Sequence, residues 1–225
     1  RDARLAGVGL EGEKRDRFNA IQQSLASLST KFSNAVLDST KAFRLLLKSE
    51  DEVRGLPQSW RELAAQAARA GGEAAASAEN GPWLLTLDFP SYYPFLQHAQ
   101  NRAVREQVYR ASVTRASGSG FSSQWNNWPL IDEILKLRRE ESGILGFSNF
   151  AEVSLAGKMA PDTAKIRAMI TDLYKVAKGA AQKEIISLAD YAKGKGLSGD
   201  LSLWDISYYA ERRREELYNY TDEEL

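Results

Sequence analysis

The chain has 225 residues, and its 30 basic side chains balance 30 acidic ones, so charge gives no reason to expect a nucleic acid or an anionic membrane as partner. It contains no cysteine, which excludes disulfides, thiol nucleophiles and cysteine-ligated zinc, while 43% apolar residues are enough for a real hydrophobic core. No apolar run approaches the roughly 20 residues a membrane-spanning helix needs.

Phe18, Ile21, Leu25, Leu28, Phe32 and Ala35 step by three and four and predict a long helix with one core-facing stripe. Phe43, Leu45 and Leu47 then alternate with Ala42, Arg44 and Leu46 as a short strand. The acidic cluster Glu50-Asp51-Glu52 reads as a solvated turn. A second helix runs from Pro57 to Ala70, with Trp60 and Leu63 as its anchors and Gly71-Gly72 at its end. A small-residue loop leads to the turn signal Asn80-Gly81, and Trp83 to Phe89 (WLLTLDF) reads as a second strand. The two strands can pair as a hairpin around the helix that begins at Pro57.

The rest is helical. Helices are expected from Pro90 to Ala99 and from Asn101 to Arg115, with Asn101 as the N-cap between them. Residues 116–129 (ASGSGFSSQWNNWP) form a loop. Leu130 to Glu141 and Asn149 to Lys158 follow, joined across Gly143 and Gly146. Asp162 to Lys193 is the longest helix, with Ile166, Met169, Leu173, Val176, Ala180 and Leu188 near one face. Ser202 and Asp205 cap a last helix that runs to about Tyr218. There is no internal repeat and no clean interdomain linker. The fold expected is mainly α, with one small sheet of two to three strands.

The two ends look cut. Arg1 is preceded by no initiator Met and followed by no targeting pattern. At the other end Thr221 and Glu224 make a capping box, with Asp222 and Glu223 suited to a helix N-terminus, so a further helix is expected to begin there.

Few residues suggest chemistry. The single histidine, His98, lies near Tyr92, Tyr93 and Phe95, and no G-x-S-x-G elbow surrounds any serine, so a packed or surface histidine is the expectation. One histidine cannot build the H-E-x-x-H zinc motif, which needs two on one helix face. Gly118-Ser119-Gly120 lacks the third glycine and the preceding strand of a dinucleotide loop. Arg212-Arg213-Arg214 is expected to pair with Glu211, Glu215 and Glu216 at i,i+4 spacing. Trp204, Tyr208 and Tyr209 share a helix face that suits core packing, or a peptide groove. No residue is a candidate for catalysis, for cofactor binding or for metal binding.

Three long segments carry a resemblance. DFPSYYPFLQHAQNRAVREQVYRASVTRAS (residues 88–117), IDEILKLRREESGILGFSNFAEVSLAGKMA (131–160) and LWDISYYAERRREELYNYTDEEL (203–225) resemble the thimet oligopeptidase family of zinc metallopeptidases, in its oligopeptidase A-like branch. The opening stretch, residues 5–43, fits the same family, so the resemblance covers essentially the whole chain in order. Trp125-Asn126-Asn127-Trp128 departs from it locally, where relatives carry Asp-Asn after a tryptophan, and leaves the role of that loop open.

The resemblance implies that residues 1–225 are a partial helical domain of a larger, channel-type oligopeptidase that lacks the downstream zinc-binding region. In the intact enzyme a zinc-bound water, activated by the motif's glutamate, would hydrolyse short peptides. This segment would form channel wall, bind no zinc of its own and be inactive alone. Short peptides are then the expected substrates of the intact enzyme, with no nucleic acid and no membrane as partner. The alternative is a catalytically inactive, peptidase-derived scaffold whose exposed apolar surface a partner chain covers if residue 225 is the true end. The cytoplasm or an organelle, mitochondrion or chloroplast, is the compartment the resemblance suggests.

Overall fold

Turn chemistry sets the limits of most elements in the computed structural model, which describes residues 2–219. The elements are α1 (Asp2–Leu5), α2 (Gly12–Ala42), β1 (Leu45–Leu47), α3 (Glu50–Val53), α4 (Gln58–Ala70), β2 (Trp83–Leu85), α5 (Phe89–His98), α6 (Arg102–Val113), α7 (Trp128–Ile144), α8 (Phe150–Ala156), α9 (Thr163–Gly194) and α10 (Leu203–Tyr218). Three helices end alike. After α4, α7 and α9 a glycine at positive φ (Gly72, Gly146, Gly196) reverses the chain. The next residue's N–H then bonds back to the carbonyl of Ala68, Ser142 or Ala192, satisfying groups the helix end would leave bare. Asn101 and Asn149 each accept a backbone N–H in the first turn of α6 and α8. Ser202 and Asp205 close a capping box on α10. The capping box read at Thr221 and Glu224 lies outside the described residues.

The structure is mainly α with one sheet of two strands among the described residues, as the sequence suggests. β1 and β2 pair antiparallel, with Leu45 opposite Leu85 and Leu47 opposite Trp83. The second strand is shorter than expected. It stops at Leu85 because the Thr86 N–H turns to the Ser91 hydroxyl (3.0 Å), and Phe89 already belongs to α5. Glu50-Asp51-Glu52 is not a turn but the body of α3, capped by Ser49 and held to α4 by an ion pair from Glu50 to Arg61 (2.6 Å). Gly143 does not separate two helices; it lies inside α7, and Gly146 alone makes the break.

The chain divides into two compact units, residues 1–35 with 126–182 and residues 36–125 with 183–225. In the first unit, Phe18, Leu145 and Val153 form a small apolar cluster with Leu5, Leu10, Ile144, Phe147 and Phe150 packed around it. Gly7 is obligatory there: its φ is +82°, and a Cβ would stand 2.7 Å from the Phe18 ring. Arg17 makes a forked ion pair with Glu140 (2.5 and 2.6 Å), and the Gln22 amide donates to Glu141 (2.8 Å). Of the predicted α2 stripe, Phe18 and Ile21 are buried, while Leu25, Leu28, Phe32 and Ala35 are half-buried. The phase of the helix is right and the depth is not uniform.

The second unit holds the larger core. Trp60, Trp83, Leu85, Phe95 and Val108 belong to one continuous cluster contributed by α4, the sheet, α5 and α6. The indole N–H of Trp60 donates to the Ser91 carbonyl (2.7 Å) and that of Trp83 to the Ala78 carbonyl (3.0 Å), so both large rings are buried without an orphaned donor. Leu63 is not an anchor. The inward row of α4 is Trp60, Ala64 and Ala68 at four-residue steps, which turns Leu63 outward at 42% exposure. α10 packs on α5 and α6, and its Tyr209 joins Leu188 and Ala192 of α9 in a separate cluster.

Candidate functional site

Two places in the second unit gather polar side chains at depth. The first joins α6 to α10. Asp205, fully buried, accepts from Arg102 (2.7 Å), from Arg105 (2.9 Å) and from the Ser202 backbone N–H (3.1 Å). Arg105 is 2% exposed and spends a second donor on the Ala99 carbonyl (2.6 Å), while its guanidinium lies 4.1 Å from the Tyr208 ring centre. Burial pushes the Asp205 carboxyl up, but Arg102, the Ser202 N–H and Arg105 together hold it below the ordinary carboxylate range. Every oxygen is committed to a donor within the fold. This is a clamp between helices and not a reactive centre.

The second place is a cleft of about 690 Å³ between α4 and α5, lined by Trp60, Leu63, Pro90, Pro94, Gln97 and His98 among others. Pro90 lies in the first turn of α5, where a missing N–H costs little, and Pro94 follows one turn later, so both rings stand on this wall. His98 is 6% exposed at the end of the helix. Arg212 Nη2 lies 2.8 Å from His98 Nδ1 and 2.8 Å from Glu215 Oε1. A guanidinium cannot accept a hydrogen bond, so Nδ1 must be bare, and the imidazole in this geometry is neutral with its proton on Nε2. Arg214 holds Glu211 (2.5 Å); this ion pair keeps the Glu211 carboxyl below its usual range against the opposing effect of burial.

The arrangement limits the chemistry available to His98. A histidine acting as general base needs a carboxylate to stabilise the imidazolium that forms. Here a cation contacts Nδ1, and the Glu215 carboxylate stays 4.0 Å away. His98, Glu211 and Glu215 bring ligand atoms within 4.8 Å of one another, the one such group among the described residues. Their donor set superficially suits a zinc ion. Each carboxylate is already matched by a guanidinium, so a metal would have to displace Arg212 and Arg214 together. These residues do not fit a zinc centre.

The structure therefore places His98 where the sequence suggests, inside the fold. It revises the pairing of the basic run. Arg212–Glu215 and Glu211–Arg214 are i,i+3 pairs, Arg213 donates to Ser187 (3.1 Å), and Glu216 pairs with Lys195. Tyr209 is buried, Trp204 and Tyr208 are half-buried beneath arginines, and together they pack instead of lining a groove. Gly118-Ser119-Gly120 leads into a single 3-10 turn. Neither the Arg105–Asp205 clamp nor the His98–Arg212 contact has a sequence signal beyond the capping role of Asp205, because the partners stand 100 and 114 residues apart.

Comparison with known proteins gives a consistent picture. A family model described as Peptidase family M3 matches residues 95–225. The chain is similar over its whole length to the chloroplastic/mitochondrial organellar oligopeptidase A of Arabidopsis thaliana, at 46% identity across 227 residues. It is 42% identical across 226 residues to oligopeptidase A of Salmonella typhimurium. At 24% identity it also matches a dipeptidyl carboxypeptidase of Escherichia coli over 98% of its length. The chain spans 28%, 32% and 31% of these relatives, less than a third of each.

Proposed function

The chain belongs to peptidase family M3, and from that premise we propose that it is the channel-wall portion of a zinc-dependent oligopeptidase that hydrolyses short peptides. The observation that carries the proposal is the unbroken similarity of all 225 residues to proteins named oligopeptidase A. A zinc centre of the family kind would lie in residues outside this chain, and no step of hydrolysis is assigned to His98 or to any other residue here. What these residues contribute is shape. Rigid helices, pinned by the Arg105–Asp205 clamp and by the Trp60–Ser91 hydrogen bond, would bound a channel and keep folded proteins from reaching the reacting centre.

Peptide mapping of the polypeptide purified from its source tests this. Fragments continuing past Leu225 into a helix that carries H-E-x-x-H are expected. A mature C-terminus at Leu225, with a second protein held in stoichiometric amount, would overturn the proposal and favour an inactive scaffold.

A further inference from the structure

α9 is two helices in chemical terms. Near its C-terminal end, Leu188 and Ala192 are buried against α10. Ile170, Tyr174 and Ala181 lie on the same face, at steps of four and seven that return to one side of the helix. There the burial stops. Ile170 and Tyr174 are each 57% exposed, Met169 52%, Leu173 62% and Val176 80%. Beside them, within the first unit, α8 and α9 enclose a groove of about 720 Å³ floored by Leu155, Ile166 and Ile170. A continuous apolar arc of this extent exceeds what a folded monomer ordinarily leaves in water.

We propose that this arc of α9, residues 166–177, and the adjoining α8 groove are a docking surface covered by a further stretch of the same polypeptide, apolar at its centre and rimmed by carboxylates. The inference rests on the proposed function, in which these 225 residues are part of a longer chain. Three observations choose the occupant. The bare face continues one that the chain already buries at Leu188 and Ala192, so the helix is built for cover along its length. The matched relatives are more than three times as long as the matched region, which supplies a tethered partner at high effective concentration. Lys165, Arg167, Lys175 and Lys178 flank the arc against a single carboxylate, Asp172. Two copies meeting through this face would oppose like charges, whereas an acidic rim would match it.

The test reads the side chain of Met169 in the polypeptide purified from its source. Dilute hydrogen peroxide converts exposed methionine to the sulfoxide, and mass spectrometry locates it. Met169 is expected to oxidise about tenfold or more slowly in the native protein than in the urea-denatured protein, unchanged by dilution. A native rate within about threefold of the denatured one would show an open face and overturn the proposal. Protection lost on dilution would assign the face to a second copy, and protection lost on removing a co-purifying protein or lipid would assign it elsewhere; either overturns the tethered occupant. Peptide hydrolysis measured on the same sample separates the two proposals. Protection without hydrolysis keeps the surface and sinks the peptidase, and hydrolysis without protection does the reverse.

Discussion

The two units spend their apolar residues differently. The second unit buries Trp60, Trp83, Leu85 and Phe95 in one cluster, and its polar groups at depth are tied by Arg105 and Asp205. The first unit buries Phe18, Leu145 and Val153 in a small cluster, while Met169, Leu173 and Val176 remain in solvent. Helix-forming sequence is equally strong in both. Local periodicity therefore makes helices, and tertiary partners decide which of those helices become core.

That comparison predicts a graded response to substitution. The largest effect is expected at Arg105. Arg105→Ala removes one of two guanidiniums from a carboxylate with no access to water, and a loss of about 3–5 kcal/mol is expected in chemical denaturation. A loss below about 1 kcal/mol would mean that Arg102 alone supports Asp205. Leu145→Ala in the thinner core should cost about 2–3 kcal/mol, at the low end for buried leucine, because fewer neighbours hold the cavity open. An equal or larger loss than at Arg105 would erase the distinction between the units.

Acid should act on the second unit first. The folded pKa of Asp205 lies below its unfolded value, so its contribution is present above roughly pH 4 and is lost as pH falls through the lowered folded value. Glu211 acts in the same direction. Unfolding followed by a tryptophan signal should show stability falling below about pH 4, and Asp205→Asn should flatten that limb. A limb unchanged by the substitution would place the acid sensitivity elsewhere.

Much of the architecture is legible in the sequence, for reasons that are local. Gly72, Gly146 and the caps at Asn101 and Ser202 fix helix ends through groups within a few residues, and the two strands follow from short apolar runs between turns. Leu63 shows where this fails: spacing gives the phase of α4 but not which neighbours its face will meet. The same limit applies to Leu173 and Val176, correctly set on a helix yet left without cover among the described residues. The candidate site was legible only in outline. His98 reads as a packed histidine, but nothing near it in sequence names Arg212 as its partner, and the i,i+4 spacing expected of the basic run gives way to i,i+3.

The smallest effect is expected on the bare arc. In the 225-residue chain Leu173→Ser should change stability by no more than about 0.5 kcal/mol, as exposed positions do. In a longer polypeptide that covers the arc, the same change should cost about 1.5–3 kcal/mol. Equal effects in the two would leave α9 without an occupant.

The most direct measurement is hydrolysis of short peptides by the polypeptide purified from its source, before and after metal chelation. The account predicts cleavage of short peptides but not of folded proteins, abolished by the chelator and restored by zinc. Cleavage that survives chelation, or a pure and folded polypeptide that cleaves no short peptide with zinc present, would contradict it.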